Sequence, residues 1–233
     1  LIALTRVSTP ALVGSSNLWR QVSAGSHFSG AGQTDGSLWM WGENTYGQLG
    51  NGSTANYSSP IQIGTSTTTW FRVACGGSHT VTLRNNSTLW AWGRNNKGQL
   101  GNSTTFSYSS PIQIGALTTW SYVASGLLHS AAVENDGSLW TWGDNSTGQL
   151  GNGTTVDYSS PIQIGSSGKW TRVACGNSHT LMVGTDNSLW AVGSNAYGQL
   201  GNGNSINYSS PVQIGTLTDW NNVYCGNDHS LVI

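Results

Sequence analysis

Charged side chains make up only 7% of the 233 residues, against ~25% in an average soluble domain. Eight Lys and Arg nearly balance nine Asp and Glu, for a net charge of −1, and neither sign forms a run. Tight binding to nucleic acid draws on clustered cations that release counterions from phosphate, so this composition argues against a nucleic-acid partner. Long apolar runs are missing as well. No stretch approaches the ~20 residues that cross a bilayer as a helix, so no membrane span is expected. Lysine occurs only as Lys97 and Lys169, and no G-x-x-x-x-G-K-[ST] phosphate loop is written. The three cysteines, Cys75, Cys175 and Cys225, share one repeat position with no C-x-x-C pattern. They read as small buried side chains rather than zinc ligands or a disulfide framework.

Glycine and tryptophan abound instead, with 32 and 12 copies. Trp19, Trp70, Trp120, Trp170 and Trp220 mark a period of about 50 residues, and Pro10, Pro60, Pro111, Pro161 and Pro211 keep the same step. A single extra residue falls between Pro60 and Trp70, where TSTTT replaces ALTT, which marks a surface loop. A period of this length belongs to a propeller or a solenoid. Within the second unit PIQIG is a short apolar run opened by proline, WFRVACG follows, and HTVTL and TLWAWG flank RNNS. The corresponding turns elsewhere read TDGS, NDGS and TDNS, which favour tight β-hairpins because glycine and asparagine tolerate positive φ. Four short strands per unit and no amphipathic helix make one propeller blade. The recurring GQLG loop, at Gly47, Gly98, Gly148 and Gly198, turns the chain after a strand while its leucine packs inward.

The fold expected is therefore all-β, a single β-propeller domain over residues 1–233. It has four full repeats at about 10–59, 60–110, 111–160 and 161–210, and a partial repeat at 211–233. The partial unit stops within the strand after His229, and residues 1–9 do not supply its complement. This predicts a fragment, an open arc whose edge pairs with another chain as a homo-oligomer or larger assembly, or an imperfect five-bladed ring.

CGGSHT from Cys75, NDGSLWTWG from Asn135 and GQLGNG from Gly148 resemble the repeats of the regulator of chromosome condensation family. The resemblance covers Pro10 to Ile233. It implies a β-propeller, seven-bladed in well-known members, whose loops bind other proteins. Fold alone does not carry function across such a family, whose roles include nucleotide exchange on the Ran GTPase, ultraviolet-B sensing and inhibition of β-lactamase. The photoreceptor's Gly-Trp-Arg-His-Thr segment is absent here, where GGSHT, GLLHS, GNSHT and GNDHS stand instead, and the exchange factor's basic tail has no counterpart.

His79, His129, His179 and His229 share one repeat position, with His27 one residue out of register beside Phe28. Blade spacing is too wide for shared coordination at ~2 Å, and in the family this histidine is structural, bonded within its own blade. The pairs Trp39/Trp41, Trp90/Trp92, Trp140/Trp142 and Trp190/Val192 recur with the fold period, as packing residues would. Asp35, Asp136 and Asp186 fall in hairpin turns, where they would cap backbone amides. No paired carboxylate and no Ser/His/Asp spacing recurs, so neither catalysis, nor a metal, nor a cofactor is expected.

A repeat scaffold places its specificity in the letters that vary within a constant frame. After the Trp-Gly step these give Tyr46, Arg94, Lys97, Asp144 and Tyr197; after GQLGN they give Asn56, Phe106, Asp157 and Asn207. These nine are the candidate contacts of a non-enzymatic scaffold that recognises another protein or a surface ligand. Low charge and Ser/Thr/Asn/Gly richness resemble secreted and virion surface proteins, such as phage tail or capsid decorations. Two alternatives remain at this point: a regulator of a small GTPase, and a carbohydrate-binding protein, which would need solvent-exposed Trp rings.

Overall fold

The computed structural model describes residues 18–65, 69–166 and 168–233; Pro10 and residues 1–9 lie outside them. Among the described residues all regular structure is β. The first sheet is β1 (Trp19–Ala24), β2 (Phe28–Gln33), β3 (Leu38–Gly42) and β4 (Tyr57–Ile63). The second is β5 (Trp70–Cys75), β6 (His79–Arg84), β7 (Leu89–Gly93) and β8 (Tyr108–Ile114), and the third β9 (Trp120–Ser125), β10 (His129–Glu134), β11 (Leu139–Gly143) and β12 (Tyr158–Ile164). The fourth is β13 (Trp170–Cys175), β14 (His179–Gly184), β15 (Leu189–Gly193) and β16 (Tyr208–Gln213); a two-stranded half sheet, β17 (Val223–Cys225) and β18 (Ser230–Val232), follows. Strands are antiparallel and adjacent in chain order within every sheet. The first strands of successive sheets contact one another, β1 to β5 to β9 to β13 to β17, so they lie innermost around the axis.

The sheets are phased differently from units counted from each proline. PIQIG closes a sheet rather than opening one, and Pro60 lies inside β4, not at its start. Between the partners Met40↔Ile61 and Gly42↔Tyr57 the register shifts, leaving a bulge that tolerates proline's missing N–H. The same shift recurs opposite Pro111, Pro161 and Pro211.

Hydrophobic cores sit between sheets, not within them. Val81, Leu83, Leu89 and Ala91 of the second sheet pack against Trp120, Val123, Ala132 and Trp142 of the third, and equivalent clusters fill the other seams. Each seam also carries a polar fastening built on the repeated Gln of the GQLG loop. Gln48 O accepts Thr80 Oγ1 at 2.8 Å and Trp92 Nε1 at 2.9 Å, both from the next sheet. Gln99 O likewise accepts Ser130 Oγ and Trp142 Nε1, each at 2.8 Å. At the following seam Gln149 O accepts Thr180 Oγ1 alone, because Val192 stands where tryptophan would. Gly50 must come close for this: a Cβ there would lie 2.5 Å from Trp92 Nε1, whereas at Gly151 the nearest atom is Val192 Cγ1 at 3.4 Å.

The histidines join the same fastening. Nε2 of His79, His129 and His179 lies 2.9, 3.0 and 3.1 Å from the hydroxyls of Ser130, Thr180 and Ser230 in the next sheet. Each hydroxyl already donates to a Gln carbonyl, so it must accept from an Nε2–H. The expected bond within the blade is thereby corrected: the imidazole ties one sheet to the next. All three rings are fully buried, and burial pushes their pKa down to about 3, about 3 and about 4. They are neutral in the fold.

Candidate binding face

The inner turns at residues 25–27, 76–78, 126–128, 176–178 and 226–228 and the long loops at 43–56, 94–107, 144–157 and 194–207 share one face. Backbone bonds tie them, as in Arg94 N–H to Ser78 O at 2.8 Å and Asp144 N–H to Leu128 O at 2.9 Å. At its centre a cavity of about 290 Å³ is lined by Ala24, Cys75, Ser125, Cys175 and Cys225 with the glycines that follow them. The thiols are free, and burial pushes Cys75 and Cys175 up to about 12.

A buried asparagine frames each long loop. Asn44 Oδ1 accepts the Leu49 N–H at 2.9 Å, while its Nδ2 donates to Asn51 Oδ1 at 3.1 Å and Ser53 O at 2.9 Å. Asn95, Asn145 and Asn195 repeat the pattern. Three candidate contacts belong to this frame: the Oδ1 atoms of Asn56, Asp157 and Asn207 each accept the N–H of the framing asparagine at 2.8 Å. In the second loop Ser107 Oγ takes that place at 3.2 Å.

Other candidates link neighbouring loops. The Arg94 guanidinium sits 4.9 Å from the centroid of Tyr46. Lys97 Nζ reaches Asp157 Oδ2 at 2.9 Å and Asp144 Oδ1 at 3.2 Å, and these carboxylates hold its pKa above the ordinary lysine range. Asp144 is itself buried and accepts Ser146 Oγ at 2.9 Å. Phe106 and Tyr197 remain outward, 74% and 81% exposed.

Two outward residues escape a reading of the variable letters. Val156 and Ile206, 62% and 63% exposed, stand at the position of Phe106, immediately before the residue that bonds the framing asparagine. Counting back from Tyr108, Tyr158 and Tyr208 aligns all three, two residues before each tyrosine. The framing asparagines were equally visible as the constant second letter of ENTY, RNNK, DNST and SNAY.

On the opposite face the hairpin carboxylates do cap turns: Asp35, Asp136 and Asp186 accept the N–H of Ser37, Ser138 and Ser188 at 2.9, 2.9 and 3.0 Å. None of the twelve Trp rings is exposed, so the condition set for sugar binding through exposed rings is not met. No helix among the described residues is long and apolar enough to cross a membrane.

The model of the RCC1-like domain matches residues 3–233. The chain belongs to the RCC1-like domain family. Human protein RCC2 is 42% identical over 83 residues, 35% of this chain and 16% of that protein. The ultraviolet-B receptor UVR8 of Arabidopsis thaliana is 35% identical over 98 residues, 42% of this chain and 22% of the receptor. Among solved structures, human WBSCR16 superposes with a TM-score of 0.83 at 23% identity, covering 92% of this chain and 57% of its own. Prp20p of Saccharomyces cerevisiae gives 0.79 at 23% identity, covering 91% and 55%. The chain thus spans little more than half of these solved propellers, and its four and a half sheets follow the curvature of that larger arc.

Proposed function

We propose that this RCC1-like propeller is a non-enzymatic scaffold that binds another protein through the face of the long loops. The observation that carries the reading is the row of Phe106, Val156 and Ile206, three apolar side chains held outward at one position of successive loops. Full burial of such a side chain contributes ~1.5–3 kcal/mol before the costs of association, and rigid loops lower those costs. The seams support a structural use of the histidines, and the inert thiols leave no activated nucleophile among the residues singled out. Prp20, a relative by fold, has been solved bound to Kap60. Low charge supports a secreted or virion-surface setting.

The test is affinity capture from the source material with the wild-type chain, a Phe106→Ser/Val156→Ser/Ile206→Ser variant and an Asn135→Lys/Thr185→Lys variant on the opposite face. Loss of the captured protein with the first variant and retention with the second is the expected outcome. Retention with the serine variant refutes the assignment of the face.

A further inference from the structure

Three of the chain's eight cationic residues gather at the beginning of the inner strands, away from the long-loop face. Arg20 of β1 lies 5.2 Å from the Phe71 ring centroid, and Arg72 of β5 lies 5.8 Å from the same ring. Arg72 also stacks 4.1 Å from the centroid of Tyr122 in β9, and Arg172 of β13 approaches that ring at 5.5 Å. The five side chains form one ladder, Arg20, Phe71, Arg72, Tyr122, Arg172, across four consecutive inner strands.

The ladder is electrostatically unbalanced. The ion pairs among the described residues involve His27, Glu43, Lys97, Asp144 and Asp157, so no carboxylate reaches these arginines. Burial holds Arg72 below the ordinary arginine range; Arg172 and Arg20 add like charge, while Tyr122, with a side-chain hydrogen bond to it, opposes the shift. Like charges gathered without a counter-charge cost stability, and the ring faces that share the guanidinium planes offset only part of it. Arg20 Nη2 is already engaged, donating to Trp70 O at 3.2 Å and Phe71 O at 2.5 Å, which leaves Arg72 and Arg172 as the planar forks that suit bidentate binding of an oxyanion. Arg72 Nε is buried with no hydrogen-bond partner among the described residues, and Arg172 Nη1 donates only to the carbonyl of its neighbour Thr171 at 2.9 Å.

We infer that this arginine–aromatic ladder is a binding site for a multiply charged oxyanion, with Arg72 and Arg172 as its principal donors and Arg20 as a third charge. The site is separate from the long-loop face and does not rest on its function. The ligand chemistry is that of a phosphoryl group or a polycarboxylate.

Titration calorimetry of the full chain with pyrophosphate and with citrate tests this. Saturable 1:1 binding with Kd about 1 mM or tighter, weakening as NaCl is raised, is expected for at least one of them. Pyrophosphate tighter than citrate assigns a phosphoryl ligand, and the reverse a polycarboxylate; either supports the site. Arg172→Gln and Arg72→Gln should each weaken binding about tenfold, the loss of one charge-assisted contact, while Lys169→Gln, with the same change in net charge, leaves it unchanged. Arg172 is the safer substitution, since its described hydrogen bond is local. Absence of saturable binding by both anions, or equal affinity in a folded Arg172→Gln variant, overturns the inference.

Discussion

Acid should open the seams between sheets. His79, His129 and His179 titrate at about 3, about 3 and about 4 in the fold, against ~6.5 in an unfolded chain. The unfolded state therefore binds more protons below pH ~6.5, so this stability is fully present above that value and is lost as pH falls toward the folded values. At pH 5 each histidine costs ~2 kcal/mol and the three together ~6 kcal/mol, which is comparable to the whole stability of a typical domain. The slope near pH 5 should be ~4 kcal/mol per pH unit, the signature of three protons taken up on unfolding. The lowered carboxylates Asp35 and Asp186 act below their ordinary value, in a more acidic window. Urea unfolding followed by Trp fluorescence between pH 7.5 and 5 measures the slope directly. His129→Gln, which keeps a side-chain N–H donor but cannot titrate, should reduce the slope by about a third. A flat stability over this interval, or a slope below that of one proton, refutes the account of the imidazoles as buried neutral donors.

Two further substitutions probe the same seams. Trp92→Val should destabilise by ~2–4 kcal/mol, through lost packing and the lost bond to Gln48 O, read as a lower urea midpoint. Gly76→Ala places a Cβ 2.3 Å from His79 Cε1 and 2.6 Å from Gly126 O, and should cost ~1–3 kcal/mol in the same assay, whereas alanine at Gly52, where the nearest atom is 3.5 Å away, meets only its positive φ.

The sequence carried the period, the four strands per unit and the hairpin carboxylates because each rests on local chemistry repeated at fixed spacing. Phase was harder to read: proline suggests a strand start, and only the pairing of Met40 with Ile61 reveals the bulge that admits Pro60 mid-strand. The destination of the histidine bond depends on which hydroxyl the next sheet brings over, a relation about 50 residues away. Among the candidate contacts, Asn56, Asp157 and Asn207 vary or recur for reasons internal to the loop, while Val156 and Ile206 look ordinary until aligned on the tyrosines. The arginine ladder was hidden differently. Arg20 occupies the repeat position of Phe71, and Arg72 that of Tyr122 and Arg172, so the cluster is visible only when neighbouring strands are laid side by side.

Each seam fastening takes groups from both of its sheets: a glutamine carbonyl from one and a hydroxyl from the next, joined at the three later seams by an imidazole from the first. No single blade contains a finished fastening, so the smallest folding unit is a pair of neighbours. Such a chain behaves as a one-dimensional lattice whose stability resides in its bonds more than in its sites. Amide exchange should then fall into blocks that straddle sheet boundaries. The half sheet matters out of proportion to its two strands, because Ser230 completes the last seam and thereby sets how firmly the fourth sheet is held.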